Sequence, residues 1–217
     1  MMKLPHVIKT LTSEAEFTLK EKGSTFLSIS KPVGSEEEAK MFLNSTRKKY
    51  YDATHHCFSY KLINNQFKYS DDGEPSGTAG IRIYNAQNHF ELTNLITIVA
   101  RNFSGIKLGV GLLGKTYYES AFQNLNSSVI IEKQLYQLAE IKYQFDQSKM
   151  VHHLISKYSV KIEQSIFESS PKIKCFVPID NSKNFAGEMN SFFHAGIHLN
   201  FKTKFEYLQK QDFANKF

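Results

Sequence analysis

The chain contains no tryptophan and only two cysteines, Cys57 and Cys175, which lie far apart and outside any C-x-x-C pattern. Two isolated thiols exclude a disulfide framework and a cysteine-rich metal site, and they fit a reducing compartment. No long uninterrupted apolar run occurs, so no membrane-spanning helix is expected. Met1 to His6 lacks the apolar stretch of a signal peptide, and the expected location is the cytoplasm. No internal repeat stands out. Neither a Walker A sequence nor a G-x-G-x-x-G fingerprint is present, because Gly105, Gly109 and Gly111 meet neither spacing.

What is present is ordinary for a folded protein. The 217 residues are 41% hydrophobic and 22% charged, enough for one large domain or two small ones. Eighteen phenylalanines and eleven tyrosines supply core material. A formal net charge of +6 permits binding to a polyanion without demanding it.

The first half reads as mixed strand and helix. Residues Glu16 to Ser30 alternate around a turn or bulge at Gly23. Ser35 before Glu36-Glu37-Glu38 is an N-cap with a capping-box partner at Glu38, and Arg47-Lys48-Lys49 closes the helix. His56 to Ile63 alternates as a strand. A helix is expected from Ser76 to about Asn88, capped by Ser76 or Thr78. Leu95, Ile96, Ile98 and Val99 mark a buried strand. A glycine-spaced turn from Ser104 to Gly111 follows, then a helix with Leu113, Tyr117, Ala121 and Leu125 on one face. Asn124 to Ser128 reads as a chain break or linker, and a domain boundary is expected near residues 127–137.

The second half reads as strand Ala139–Phe145, helix Ser148–Tyr158, strands Val160–Glu168 and Lys172–Ile179 meeting at Ser169-Ser170-Pro171, helix Asn184–His194 and strand Ile197–Leu208. That βαββαβ order is the split pattern of a ferredoxin-like sandwich. The expected fold is α+β with two domains, residues 15–130 and residues 137–209.

Two segments carry the candidate chemistry. A strand emptying through a Gly-rich turn into a helix presents backbone N–H groups that, with the helix dipole, favour an anion. The expected anion or nucleic-acid contacts are Arg101, Gly105, Lys107, Gly109, Gly111 and Lys115; the bland alternative is close packing of helix on strand. The second segment is the turn Asp71, Asp72, Gly73, Glu74, Ser76, Gly77 and Thr78. Its acids can hold Mg²⁺ or act as an acid–base pair, or they can cap the following helix and orient Arg82, Lys107 or backbone donors. No metal, cofactor or catalytic residue is assigned.

His55 and Cys57 share a strand face, His55 and His56 do not, and no third group orients a Cys–His dyad. His194 and His198 have helical spacing with Gly196 between them, and, like His152 and His153, they read as surface residues. Tyr50, Tyr51, Phe58, Tyr60, Phe67 and Tyr69 lie among Arg47, Lys48, Lys49, Lys61 and Lys68. They read either as core or as a base-stacking surface.

Four segments together resemble the Impact/YigZ family: Lys22-Gly23-Ser24-Thr25-Phe26, Asp52 to Tyr60, Ser70 to Gly80 and Arg101 to Gly111. The family pattern commonly has glycine where Ser104 and Leu112 stand and arginine where Lys115 stands. The resemblance implies an N-terminal domain like the second domain of ribosomal protein S5 and a C-terminal ferredoxin-like domain. It further implies a translation-linked regulatory protein that binds RNA or the ribosome without established catalysis, with a translation-factor protein as a further partner and no membrane. An alternative is an enzyme acting on a small phosphorylated or nucleotide substrate, by analogy with kinases of the same fold.

Overall fold

The structure, a computed structural model, describes residues 4–63, 66–167 and 170–209. The described residues divide into two compact units, one of residue 4 and residues from 8 to 131, the other of residues 5–7 and residues from 132 to 209.

The part of strand β1 (Val7–Leu11) from Ile8 onward is tied to the rest of the first unit where Thr93 N–H donates to the Lys9 carbonyl at 2.9 Å. Five further strands form an antiparallel sheet: β2 (Ala15–Glu21), β3 (Ser24–Pro32), β4 (His55–Lys61), β5 (Phe67–Ser70) and β6 (Leu95–Asn102), in the order β2-β3-β6-β4-β5. The β2–β3 hairpin closes through Lys22 and Gly23, both at positive φ (44° and 81°). Such a pair gives a two-residue loop whose twist matches the strands.

The alternation along β4 and β6 sorts the sheet into two faces. Phe58, Tyr60, Ile96 and Ile98 point one way and meet Ala39 and Leu43 of helix α1 (Glu36–Lys49). Cys57, Leu95 and Val99 point the other way and meet helices α2 (Gly80–His89) and α3 (Val110–Asn126). Helices on both sides explain why β6 is buried along nearly its whole length. Ser35 caps α1 by accepting from Glu38 N–H at 3.2 Å, and the Glu38 carboxylate reaches back to Gly34 N–H at 2.7 Å. In α3 the face Leu113, Tyr117, Ala121, Leu125 is buried as its spacing requires.

The second unit carries β7 (Ile130–Lys142), α4 (Ser148–Lys157), β8 (Lys161–Ile166), β9 (Lys172–Pro178), α5 (Ser182–Ser191) and β10 (His198–Gln209). β7 pairs antiparallel with both β10 and β9, and β9 with β8. Ala139, Ile141, Ile173, Cys175 and Val177 pack against Val151, Leu154, Phe185 and Met189 from the two helices.

Four elements differ from the sequence reading. Strand β1 lies before residue 15, where the first domain was expected to begin, and buries Ile8 and Leu11. Strand β5 was not expected: four residues of weak alternation become a strand only by pairing with β4. Residues 127–137, where the domain boundary was expected, are largely strand, because β7 begins at Ile130 and buries Leu135 and Tyr136. Helix α2 begins at Gly80, four residues after Ser76, and neither Ser76 nor Thr78 caps it. The turn expected at Ser169-Ser170-Pro171 and the strand end at Glu168 fall partly outside the described residues.

Candidate functional site

The turn between β5 and α2 is built around three carboxylates, each engaged by protein donors. Asp71 accepts from the amides of Gly77 at 2.9 Å, Ala79 at 2.9 Å and Gly80 at 2.8 Å. It therefore serves the open amides at the start of α2 that Ser76 or Thr78 was expected to serve. Ser76 is exposed, and the Thr78 hydroxyl donates to the Pro75 carbonyl at 2.6 Å. Asp72 accepts from the Arg47 guanidinium at 2.6 Å and from His56 N–H at 2.7 Å. Gly73 packs against the His55 ring, where an added Cβ would lie 3.4 Å from Nδ1.

Glu74 is the centre of a buried network. Its side chain is 4% exposed, and its Oε1 accepts from Arg101 Nη1 at 2.6 Å and from the Tyr117 hydroxyl at 2.8 Å. His55 Nε2 lies 4.0 Å from the same oxygen, while its Nδ1 donates to the Asp72 carbonyl at 2.8 Å. The Cys57 thiol is 3.0 Å from the Asp71 carbonyl and 3.3 Å from the Tyr117 hydroxyl. Burial pushes the Cys57 thiol well above its ordinary range, and the neighbouring carboxylates push it further. Burial likewise raises Tyr117, which keeps its proton to donate to Glu74. A thiol held protonated in this way is a packing group rather than a nucleophile.

Arg101, expected to face an anion beside Lys107 and Lys115, does not. Its side chain is 4% exposed and spends its charge on Glu74, with the guanidinium between the rings of Phe26 at 5.1 Å and Phe103 at 4.8 Å. The structure joins Arg101 to the turn acids and leaves the two lysines outside that cluster. Among the described residues no group of three or more His, Cys, Asp or Glu forms a metal-holding set.

The glycine turn itself is open. Residues 102–107 and 109–111 are exposed, and only Leu108 tucks into the core. Ser104 fastens the turn to the β2–β3 hairpin: its amide donates to Ser24 Oγ at 3.3 Å and its hydroxyl to the Lys22 carbonyl at 3.0 Å. Gly105 and Gly109 take φ of 89° and 76°, a backbone region that penalises any Cβ. Gly111 sits in the first turn of α3, where a Cβ would meet nothing within 4 Å. Gly109 caps α3 with no side-chain hydrogen bond, so among the described residues no side chain caps the first amides of the helix, where Val110 and Gly111 are exposed. Lys107 and Lys115 are exposed and enter no ion pair among the described residues. Arg82 lies across α3 above Gly114, where a Cβ would come within 3.3 Å of its Nε.

Sequence reasoning missed Tyr117 and Arg47 as partners of the acids. Tyr117 carried only the signal of an apolar helix face, and Arg47 that of a helix C-terminus. His194 sits in a short 3₁₀ turn and His198 opens β10, so the pair shares no helix face.

Comparison with known proteins brings one family forward. Residues 22–125 match the Impact N-terminal domain, a span that includes β3, the acidic turn, the glycine turn and all but the last residue of α3. The IMPACT family member YvyE of Bacillus subtilis is 36% identical over 129 residues, 55% of this chain and 59% of that protein. The matched region thus spans less than two thirds of that relative's length. The IMPACT family member YigZ of Escherichia coli is 26% identical over 182 residues, 82% of this chain and 89% of that protein. A crystal structure described as that of a hypothetical protein superposes with a TM-score of 0.65 at 23% identity, covering 93% of this chain and all of the other, which speaks to fold alone.

Proposed function

This chain belongs to the IMPACT family, and from that premise we propose that it is a translation-linked regulatory protein that binds RNA, free or in the ribosome. The observation that carries the reading is the open glycine turn. Two lysines with no ion pair among the described residues, Lys107 and Lys115, flank the start of α3, whose first amides no side chain caps there. Backbone phosphates match that set of donors, with the lysines contributing charge and the amides hydrogen bonds. Gly105, Gly109 and Gly111 keep the turn open for such an approach, and Arg101 supports it from beneath by anchoring the end of β6.

The same proposal assigns the first unit to the fold of the second domain of ribosomal protein S5, and the second unit to the ferredoxin-like class. The strand order β10-β7-β9-β8 supports the second assignment. The enzymatic alternative draws no support from the acidic turn. Asp71, Asp72 and Glu74 are each engaged by amides, Arg47 or Arg101.

Sedimentation of the full tagged chain through a sucrose gradient tests the reading. The expected result is co-migration with ribosomal particles or other RNA, lost after ribonuclease treatment. A chain that stays at the top of the gradient in both conditions, or whose complexes survive ribonuclease, contradicts it.

A further inference from the structure

The aromatic residues that the sequence sets among lysines fall into two classes once folded. Phe58 and Tyr60 are 7% and 5% exposed and belong to the core under α1. Phe67 and Tyr69 lie on β5, the outer strand of the sheet, and are 51% and 42% exposed. Two residues apart on a strand, they project from the same face. Their rings are 6.5 Å apart with 14° between planes. Tyr84 of α2 joins them, its ring 4.8 Å from Phe67 at 28° and 6.4 Å from Tyr69 at 37°. Phe67 stacks with both neighbours and Tyr69 is tilted against Tyr84, so the three rings form one cluster on a strand that, among the described residues, is the outer edge of the sheet. Native edges are usually blunted by charge rather than left aromatic, so an exposed ring cluster here marks a place of contact.

The charge beside the rings selects the partner. Lys61 of β4 is the direct cross-strand neighbour of Phe67, and its Nζ donates to the Asn88 side chain at 2.7 Å. That partner is neutral, so the ammonium is positioned without being neutralised. Glu91, a carboxylate its charge reaches, is itself paired with Lys9 at 2.8 Å. A fixed cation at the rim of a ring cluster suits a ligand that carries flat faces and negative charge together.

We propose that Phe67, Tyr69 and Tyr84 form a stacking platform for unpaired bases of single-stranded RNA, with Lys61 placed for the adjoining phosphate. The proposal rests on the RNA-binding reading and deepens it. The glycine turn grips backbone, and the β5 edge takes bases. Stacking on such a surface tolerates any base, because every base has a π-face.

The test is a titration of the full chain with a fluorescent single-stranded RNA of about a dozen nucleotides, the scale of single-strand binding sites, and with an abasic strand of equal length. Phe67→Ala and Tyr69→Ala are each expected to weaken binding of the RNA about ten-fold and to leave binding of the abasic strand unchanged. Phe67→Tyr and Tyr69→Phe are expected to bind as the unaltered chain does. Both alanine positions are solvent-exposed, and matching far-ultraviolet circular dichroism checks their folding. Alanine variants that bind the RNA normally overturn the platform while leaving the RNA reading intact. Equal losses on both strands overturn it too, since the rings would then serve shape rather than stacking. Variants that keep RNA binding but lose a protein partner reassign the edge to protein contact and overturn the proposal. An unaltered chain that binds no single-stranded RNA overturns both readings.

Discussion

Glu74→Gln is expected to lower the stability of the first unit by about 3–5 kcal/mol, the cost of removing one partner from a buried ion pair. The carboxylate accepts from Arg101 at 2.6 Å and from Tyr117 at 2.8 Å, and both side chains of the ion pair are 4% exposed. Glutamine keeps the shape and one acceptor but leaves the guanidinium as an uncompensated charge between Phe26 and Phe103. In a chain of this size the thermal midpoint should fall by roughly 6–20 °C, at about 2–4 °C per kcal/mol. A buried pair often contributes little net stability when both members are replaced by apolar groups of matching volume. Glu74→Gln with Arg101→Met should therefore recover part of the loss. Thermal denaturation of the single and double variants followed by circular dichroism reads both effects. A single variant within about 1 kcal/mol of the parent, well below that cost, would mean that the network does not hold the turn.

Gly80→Ala is the second large effect. An added Cβ would lie 2.7 Å from Ser70 N and 2.8 Å from its carbonyl carbon and oxygen. The opposing atoms are all backbone of β5, so no side chain can rotate away. Either α2 lifts or β5 shifts, and Asp71, which joins them, loses its alignment with the helix amides. Overpacking of this kind costs about 1–3 kcal/mol. Gly111→Ala provides the contrast, because its Cβ would meet nothing within 4 Å. Helix propensity there favours alanine by about 0.5–1 kcal/mol. Urea denaturation should place the two alanine variants on opposite sides of the parent. If Gly80→Ala matches or exceeds the parent, the close approach of α2 to β5 is not a constraint.

How far the chain could be read in advance depended on the distance over which each choice is made. The buried face of α3 was legible because Leu113, Tyr117, Ala121 and Leu125 repeat within one element. The cap of α1 was legible because Ser35 and Glu38 are three residues apart. The cap of α2 was not, since Asp71 reaches amides six to nine residues onward, a separation without a local pattern. Arg101 was misplaced for the same reason. An arginine near a strand end beside a glycine turn reads as solvent-facing, and only the fold brings Glu74 to it from 27 positions away. The glycine turn was found from its spacing, but the spacing could not separate Gly105 and Gly109, which need positive φ, from Gly111, which does not. Gly80 has poor helix propensity, yet it is the residue that lets α2 approach β5.

The reading of the glycine turn as a phosphate grip makes a quantitative demand on Lys107 and Lys115. Binding of single-stranded RNA should be measured over a range of salt concentrations for the unaltered chain and for Lys107→Ala/Lys115→Ala. Two lost phosphate contacts should weaken binding and reduce the slope of log affinity against log salt by about 1.4, at roughly 0.7 per contact. A double variant with the same slope as its parent would show that the turn does not hold RNA.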